Sequence, residues 1–192
     1  LNSTGGRGVV HTFGRQALPM VWDFMETNPF NEVGANWASG IDALVKTINR
    51  ENVIDSIGNT GIASSTQVLL PDASANALIT DPPYYNSVPY ADLSDFFYVW
   101  LKRSVGNQYP ELFEGELTPK LEEICEMAGW DSKRYGYKDG KWYEEQMSQA
   151  MAEFRRVVAP TGLLTVVFAH KTTAGWEALL QSLVKAGWTV TG

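Results

Sequence analysis

The sequence predicts an α/β fold: a mostly parallel sheet flanked by helices. Three observations carry that expectation. Short apolar runs at residues 75–80 and 163–169 have the length and composition of buried strands. Amphipathic stretches over 89–103 and 142–158 lie between them. Alternating strands and helices imply parallel strands joined by right-handed crossovers, with ligands held beyond the strands' carboxyl ends.

Taken in order, residues 1–10 are rich in Gly, Ser and Thr and read as a mobile lead-in extending to about residue 12. Over 15–27, Ala17, Val21, Phe24 and Met25 share one helical face, and Asn28-Pro29 ends it. Asn36 is a good cap for a second helix whose stripe is Trp37, Ile41, Leu44, Val45 and Ile48. Residues 58–61 form a turn, and 62–70 are a weaker strand candidate.

Pro71-Asp72-Ala73-Ser74 is turn chemistry, and the apolar run after it reads as a central, buried strand. Pro89 suits the first turn of the next helix, whose face is Leu93, Phe96, Phe97, Trp100 and Leu101. Residues 104–140 mix Gly, Pro and charge, with one short helix expected after Pro119. So long a connection is an insertion or a lid.

A helix over 142–158 follows, with Met147, Met151, Phe154 and Val158 on one face, closed by Pro160-Thr161-Gly162. The strand 163–169 comes next. The last helix carries Trp176, Leu179, Leu180, Leu183 and Val184 and stops at Gly187, after which 188–191 begin another strand.

At 192 residues the chain can bury one core and reads as a single domain or part of one. No apolar run approaches the roughly 20 residues that span a bilayer, and no signal peptide opens the chain. A soluble, cytoplasmic protein is expected. A lone Cys125 and two separated histidines, His11 and His170, predict no disulfide and no metal site. A net charge of -7 argues against a surface that grips nucleic acid throughout. The pairs Lys102-Arg103, Lys133-Arg134 and Arg155-Arg156 read as solvated faces.

Chemistry concentrates in Asp81-Pro82-Pro83-Tyr84, delivered at the carboxyl end of the strand 75–80. An exocyclic amine is a poor nucleophile because its lone pair is delocalised into the ring. Two acceptors aimed at its N–H groups favour a pyramidal nitrogen and turn the lone pair toward an electrophile. The Asp81 carboxylate can be one acceptor and the Pro82 carbonyl the other. Pro83 holds Pro82 extended, which fixes that carbonyl's direction. Tyr84 offers a flat face on which an extruded base can stack. Standing alone, the four residues also read as a turn with a capping acid and a packing ring.

The run from Asp81 through Tyr85-Asn86-Ser87-Val88-Pro89-Tyr90 to Tyr98 resembles large bacterial and archaeal adenine-specific DNA methylases, which often carry a zinc ribbon. Residues 13–24 and Phe168-Ala169-His170-Lys171 are similar to the same family. The resemblance implies methyl transfer from S-adenosylmethionine to a flipped adenine in DNA, as in restriction-modification, on a Rossmann-like fold. It assigns the catalytic roles to Asp81, Pro82 and Tyr84. Pro83, Tyr85, Tyr90, His170 and Lys171 are candidates for substrate contact. Asp81, Ser65 and Thr66 are candidates for cofactor contact, the last two by position at a strand end. Asp92 and Asp95 read as helix-capping, solvated acids.

An acid is expected at position 86, where this chain has Asn86. A glycine-rich cofactor loop is also missing, since Gly5-Gly6-Arg7-Gly8 follows no apolar strand and residues 58–61 precede no helix. That loop is expected upstream of this chain, which would then be a partial methyltransferase domain, inactive and weak in cofactor binding by itself. Cytosine amines, RNA bases and protein glutamine remain alternative substrates. A non-catalytic DNA-binding or scaffold module of a defence system is the alternative from another class.

Overall fold

A computed structural model of the chain describes residues 28–32, 36–52 and 58–191. The expected lead-in, the helix over 15–27, the family-like segment 13–24, Gly5 to Gly8 and His11 lie outside the described residues. The chain divides into two compact units, Leu1–Gly61 and Ile62–Gly192.

In the first unit, α1 spans Trp37–Glu51 as its cap and stripe predict. The Asn36 side chain accepts from the Ser39 N–H at 2.7 Å, and Ser39 Oγ accepts from the Asn36 N–H at 3.2 Å. This reciprocal pair satisfies amides that helix geometry leaves without partners. The stripe from Trp37 to Ile48 is exposed.

The second unit is mixed α/β. Strand β1 covers Ala75–Thr80, the span its turn-bounded apolar run predicts. Helix α2 covers Tyr90–Val105, with Pro89 as N-cap. A 3-10 turn at Pro110–Leu112 and the short α3, Ser132–Tyr135, interrupt the long connection. Helix α4, Gly140–Val157, leads directly into β2, Val158–Val166, and α5 spans Thr173–Lys185. The described sheet is two-stranded and parallel, β1 beside β2.

Several expectations are corrected. Residues 62–70 form no strand; Ser64 and Gln67 close a tight turn around Ser65 and Thr66. Pro160-Thr161-Gly162 do not end a helix but lie within β2. The register jumps from Ala75 opposite Val158 to Ala77 opposite Leu163, and the intervening residues bulge out. A Cβ on Gly162 would come within 2.8 Å of the Asn76 carbonyl oxygen, which explains glycine there. Strand β2 stops at Val166 rather than 169. The short helix expected after Pro119 lies at Ser132–Tyr135, and residues 188–191 are not a strand. Trp188 instead donates its indole N–H to the Met151 carbonyl at 3.0 Å.

The core lies on one side of the sheet. Tyr143, Met147, Ala150, Met151 and Phe154 of α4 meet Ala178, Leu179 and Leu183 of α5, with Leu78, Leu164 and Val166 of the sheet against them. Each fully buried aliphatic side chain there stabilises the fold by about 1.5–3 kcal/mol. The opposite sheet face is open, with Ile79 77% and Leu163 72% exposed, so β1 is not the doubly buried strand its composition suggests. Arg156 is no solvated cation either. It bonds Asp72, Glu153 and the Val68 and Leu70 carbonyls, fastening 68–72 to the end of α4.

No helix among the described residues is long and apolar enough to cross a membrane.

Candidate functional site

Two parallel neighbours end side by side, so their loops share one edge. The Val167 N–H donates to the Thr80 carbonyl at 2.8 Å, continuing the ladder into the first residue after β2. Asp81, Pro82 and Pro83 leave β1 there and border a cavity of about 620 Å³. Ser64 and Ser65 line it from the tight turn, Glu122 and Glu123 from the long connection, and Met147, Met151 and Phe154 form an apolar side. Concave, mostly apolar space with a few convergent polar groups is the usual form of a small-molecule site.

Ser65 lines the cavity that Asp81 borders, from a tight turn rather than from the end of a strand. Thr66 does not line it, and its hydroxyl pairs with Ser64 Oγ at 2.8 Å within the turn. Tyr84 also lies off the cavity lining. Its ring meets Phe168 edge-on at 5.3 Å, and the hydrogen-bonding Asp81 carboxylate beside it raises the phenol above its ordinary value. Tyr85 crosses Tyr143 at 4.9 Å and His170 at 5.7 Å, while Phe168 stacks on His170 and crosses Trp176. The loop after β1 and the loop after β2 therefore form one aromatic patch. Tyr90 is half exposed at the start of α2, and Lys171 is exposed.

His170 is anchored by structure. Its Nδ1 accepts from the Thr172 N–H at 3.2 Å, which leaves Nε2 as the protonated nitrogen of the neutral ring. Thr172 caps α5 through the Gly175 N–H, and Gly175 clears space for the imidazole, which any Cβ there would strike.

The sequence did not single out the groups that hold the Asp81 loop in shape. Tyr143 is wholly buried, and its hydroxyl donates to the Pro83 carbonyl at 2.9 Å and accepts from the Tyr85 N–H at 3.3 Å. Burial pushes that phenol up to about 12. Tyr85 has φ 54, a left-handed backbone that costs a non-glycine residue about 1–2 kcal/mol. Its carbonyl accepts from the Glu126 N–H at 3.0 Å and the Cys125 thiol at 3.1 Å. Cys125 is fully buried, and burial pushes its thiol up to about 12.

Residues 118–138, expected as part of an insertion or lid, are tied down. Glu123 caps α2 by accepting from the Ala91 N–H at 3.1 Å, and burial holds its carboxyl above the usual range. Lys138 is fully buried and donates to the Lys120 and Glu123 carbonyls at 2.5 and 2.7 Å, its ammonium over the rings of Tyr135 and Trp142. Asp95 pairs with Lys120 at 2.7 Å and accepts from the Thr118 N–H and hydroxyl, and Asp92 accepts from the Tyr135 hydroxyl. These acids bind α2 to the connection rather than simply facing water. Tyr143 had one available signal, since it lies four residues before Met147 on the predicted apolar face of α4.

Among the described residues, no group of three or more His, Cys, Asp or Glu side chains is placed to hold a metal. Residues 58–61 precede no helix. Comparison with protein-family models, curated proteins and solved structures finds no match to this chain.

Proposed function

We propose that this chain carries the amine-binding part of an S-adenosylmethionine-dependent methyltransferase of Rossmann-like type, acting on the exocyclic amine of adenine in DNA. One observation carries the reading: Asp81, Pro82 and Pro83 border a ligand-sized cavity at the carboxyl end of a parallel strand. The Pro83 carbonyl is engaged by Tyr143, whereas among the described residues nothing donates to the Pro82 carbonyl. The Pro82 carbonyl, together with the Asp81 carboxylate that also meets the Tyr84 hydroxyl, is therefore available as an acceptor for an amine. Each takes one N–H, which localises the lone pair on nitrogen and stabilises positive charge developing there.

The donor set suits the cofactor. Asp81 and Glu122 bring carboxylates to a cavity that no Lys or Arg lines among the described residues, Ser64 and Ser65 bring hydroxyls, and the methionine and phenylalanine side is apolar. A cation with a large apolar body matches those groups. S-adenosylmethionine, when bound, supplies the methyl group. Tyr84 and Phe168 present rings beside the acceptors, where a planar base extruded from a duplex gains stacking energy.

Labelled-methyl transfer by the full-length protein tests this, with DNA, RNA and protein offered separately beside an Asp81→Ala variant. Label in DNA at the adenine amine, lost at least 100-fold in the variant, is expected from the loss of a preorganised acceptor. Label in RNA or protein would move the substrate class, and label in no substrate would reject the reading.

A further inference from the structure

Two prolines offer two carbonyls, and an amine needs only one of them beside Asp81. We infer that Tyr143 is the positioning residue that withdraws the Pro83 carbonyl and leaves Pro82 to meet the substrate. The inference rests on the amine-methylating reading above, but its geometry stands independently.

The Pro83 carbonyl accepts from two donors, Tyr143 Oη–H at 2.9 Å and the Tyr85 N–H at 3.1 Å, which uses both of its lone pairs. The same hydroxyl accepts from the Tyr85 N–H at 3.3 Å, closing a three-membered hydrogen-bond ring at the turn. Within that ring Tyr85 is held at φ 54, a conformation that persists where its surroundings over-determine it. The surroundings do so from three directions. Cys125 and Glu126 fix the Tyr85 carbonyl, Tyr143 and His170 fix its ring, and Gly140 leaves the space its hydroxyl occupies.

Tyr143 is itself fully buried, packed with Met147 and its neighbours on α4. A helix packed in the core thus sets the path of the loop that bears Asp81. Without the hydroxyl, the Pro83 carbonyl regains an acceptor site, and the Pro82 carbonyl loses its fixed bearing.

The test is Tyr143→Phe in the full-length protein, with Leu183→Val as a variant that loosens the same core away from the loop. Methyl transfer and amide hydrogen exchange at Tyr85 are measured for both. For Tyr143→Phe we expect kcat to fall about 10- to 100-fold, the scale of a small misplacement of reacting groups, with KM for the amine within about threefold of the parent. Tyr85 exchange should quicken in this variant alone, and Leu183→Val should keep both kcat and protection.

Wild-type kcat in Tyr143→Phe overturns the inference and leaves the proposed function standing. Equal losses in both variants also overturn it, because they mark general loosening. If the parent transfers no methyl group, the function fails, and Tyr85 exchange alone judges Tyr143: unchanged protection in Tyr143→Phe rejects its positioning role.

Discussion

Replacing Lys138 by Met should release the segment that braces the Asp81 loop. The ammonium donates to the Lys120 carbonyl at 2.5 Å and the Glu123 carbonyl at 2.7 Å, from a fully buried position. Hydrogen bonds to a charged group are worth about 1.5–3 kcal/mol each, so the two together contribute roughly 3–6 kcal/mol. Burial also lowers the lysine's pKa, so part of that gain is spent on desolvating the cation. Met restores most of the volume but leaves the Lys120 carbonyl without its donor and the Glu123 carbonyl with the Cys125 N–H alone, so the net loss should be about 2–4 kcal/mol. At a urea dependence of about 2 kcal/mol per molar, the unfolding midpoint should fall by roughly 1–2 M. Lys46→Met, which breaks the solvent-open pair with Asp42, should change stability by less than about 0.5 kcal/mol. Limited proteolysis should find new cuts within residues 104–135 of the Lys138 variant. A midpoint within about 0.3 M of the parent, with an unchanged digestion pattern, would refute the claim that Lys138 holds this segment.

Gly175→Ala should destabilise the protein by about 1–3 kcal/mol, because the new Cβ strikes the His170 ring, although a helical Gly→Ala exchange ordinarily stabilises by nearly 1 kcal/mol. A raised melting temperature with unshifted His170 imidazole resonances would contradict this. Cys125, buried and with its thiol pushed up to about 12, should resist a thiol-reactive disulfide reagent at pH 8 until urea exposes it; a rapid native reaction would count against that burial. Alkali should weaken the fold, because Cys125, Tyr135 and Tyr143 are raised from 9.0, 10.0 and 10.0 to about 12 in the folded chain. The native state then holds protons that the unfolded chain has released, so their stabilisation is complete below about pH 9 and is lost as pH climbs toward 12. Lys138, lowered by burial, acts in the opposite sense between its folded value and 10.5. Urea midpoints at pH 8, 10 and 11 measure the balance, and a rising series would show that the three acids do not dominate.

The elements legible in the sequence were those specified by adjacent residues. Ala75–Thr80 lies between turn chemistry and a Pro-Pro pair, and α1 begins at the Asn36 cap, so local composition sufficed. Elsewhere a distant partner decides. Pro160 and Gly162 resemble a helix stop, yet pairing with β1 carries the strand through them by bulging. Trp188 belongs to an apolar run that suggests a strand, but its indole N–H is taken by Met151. In the site, Asp81 stood out by its motif, whereas Ser65 borders the cavity from a tight turn and not from the strand end that suggested it. Tyr143, Glu123, Cys125 and Lys138 were not readable, because each owes its role to a partner at least 15 residues away. Periodicity reports which side of a helix is buried, and it is silent on which carbonyl a buried hydroxyl meets.

The brace around Tyr85 also fixes an order of events in folding. Its bonds to Cys125, Glu126 and Tyr143 span sequence separations of 40, 41 and 58 residues, so they bear the entropy of closing long loops. A nascent chain that has emerged only to Pro119 already displays Asp-Pro-Pro-Tyr, but it lacks every one of those partners. Tyr85 has no reason to hold a left-handed backbone until α4 has been synthesised and docked. During synthesis, the motif exists as a string of residues before it exists as a shape.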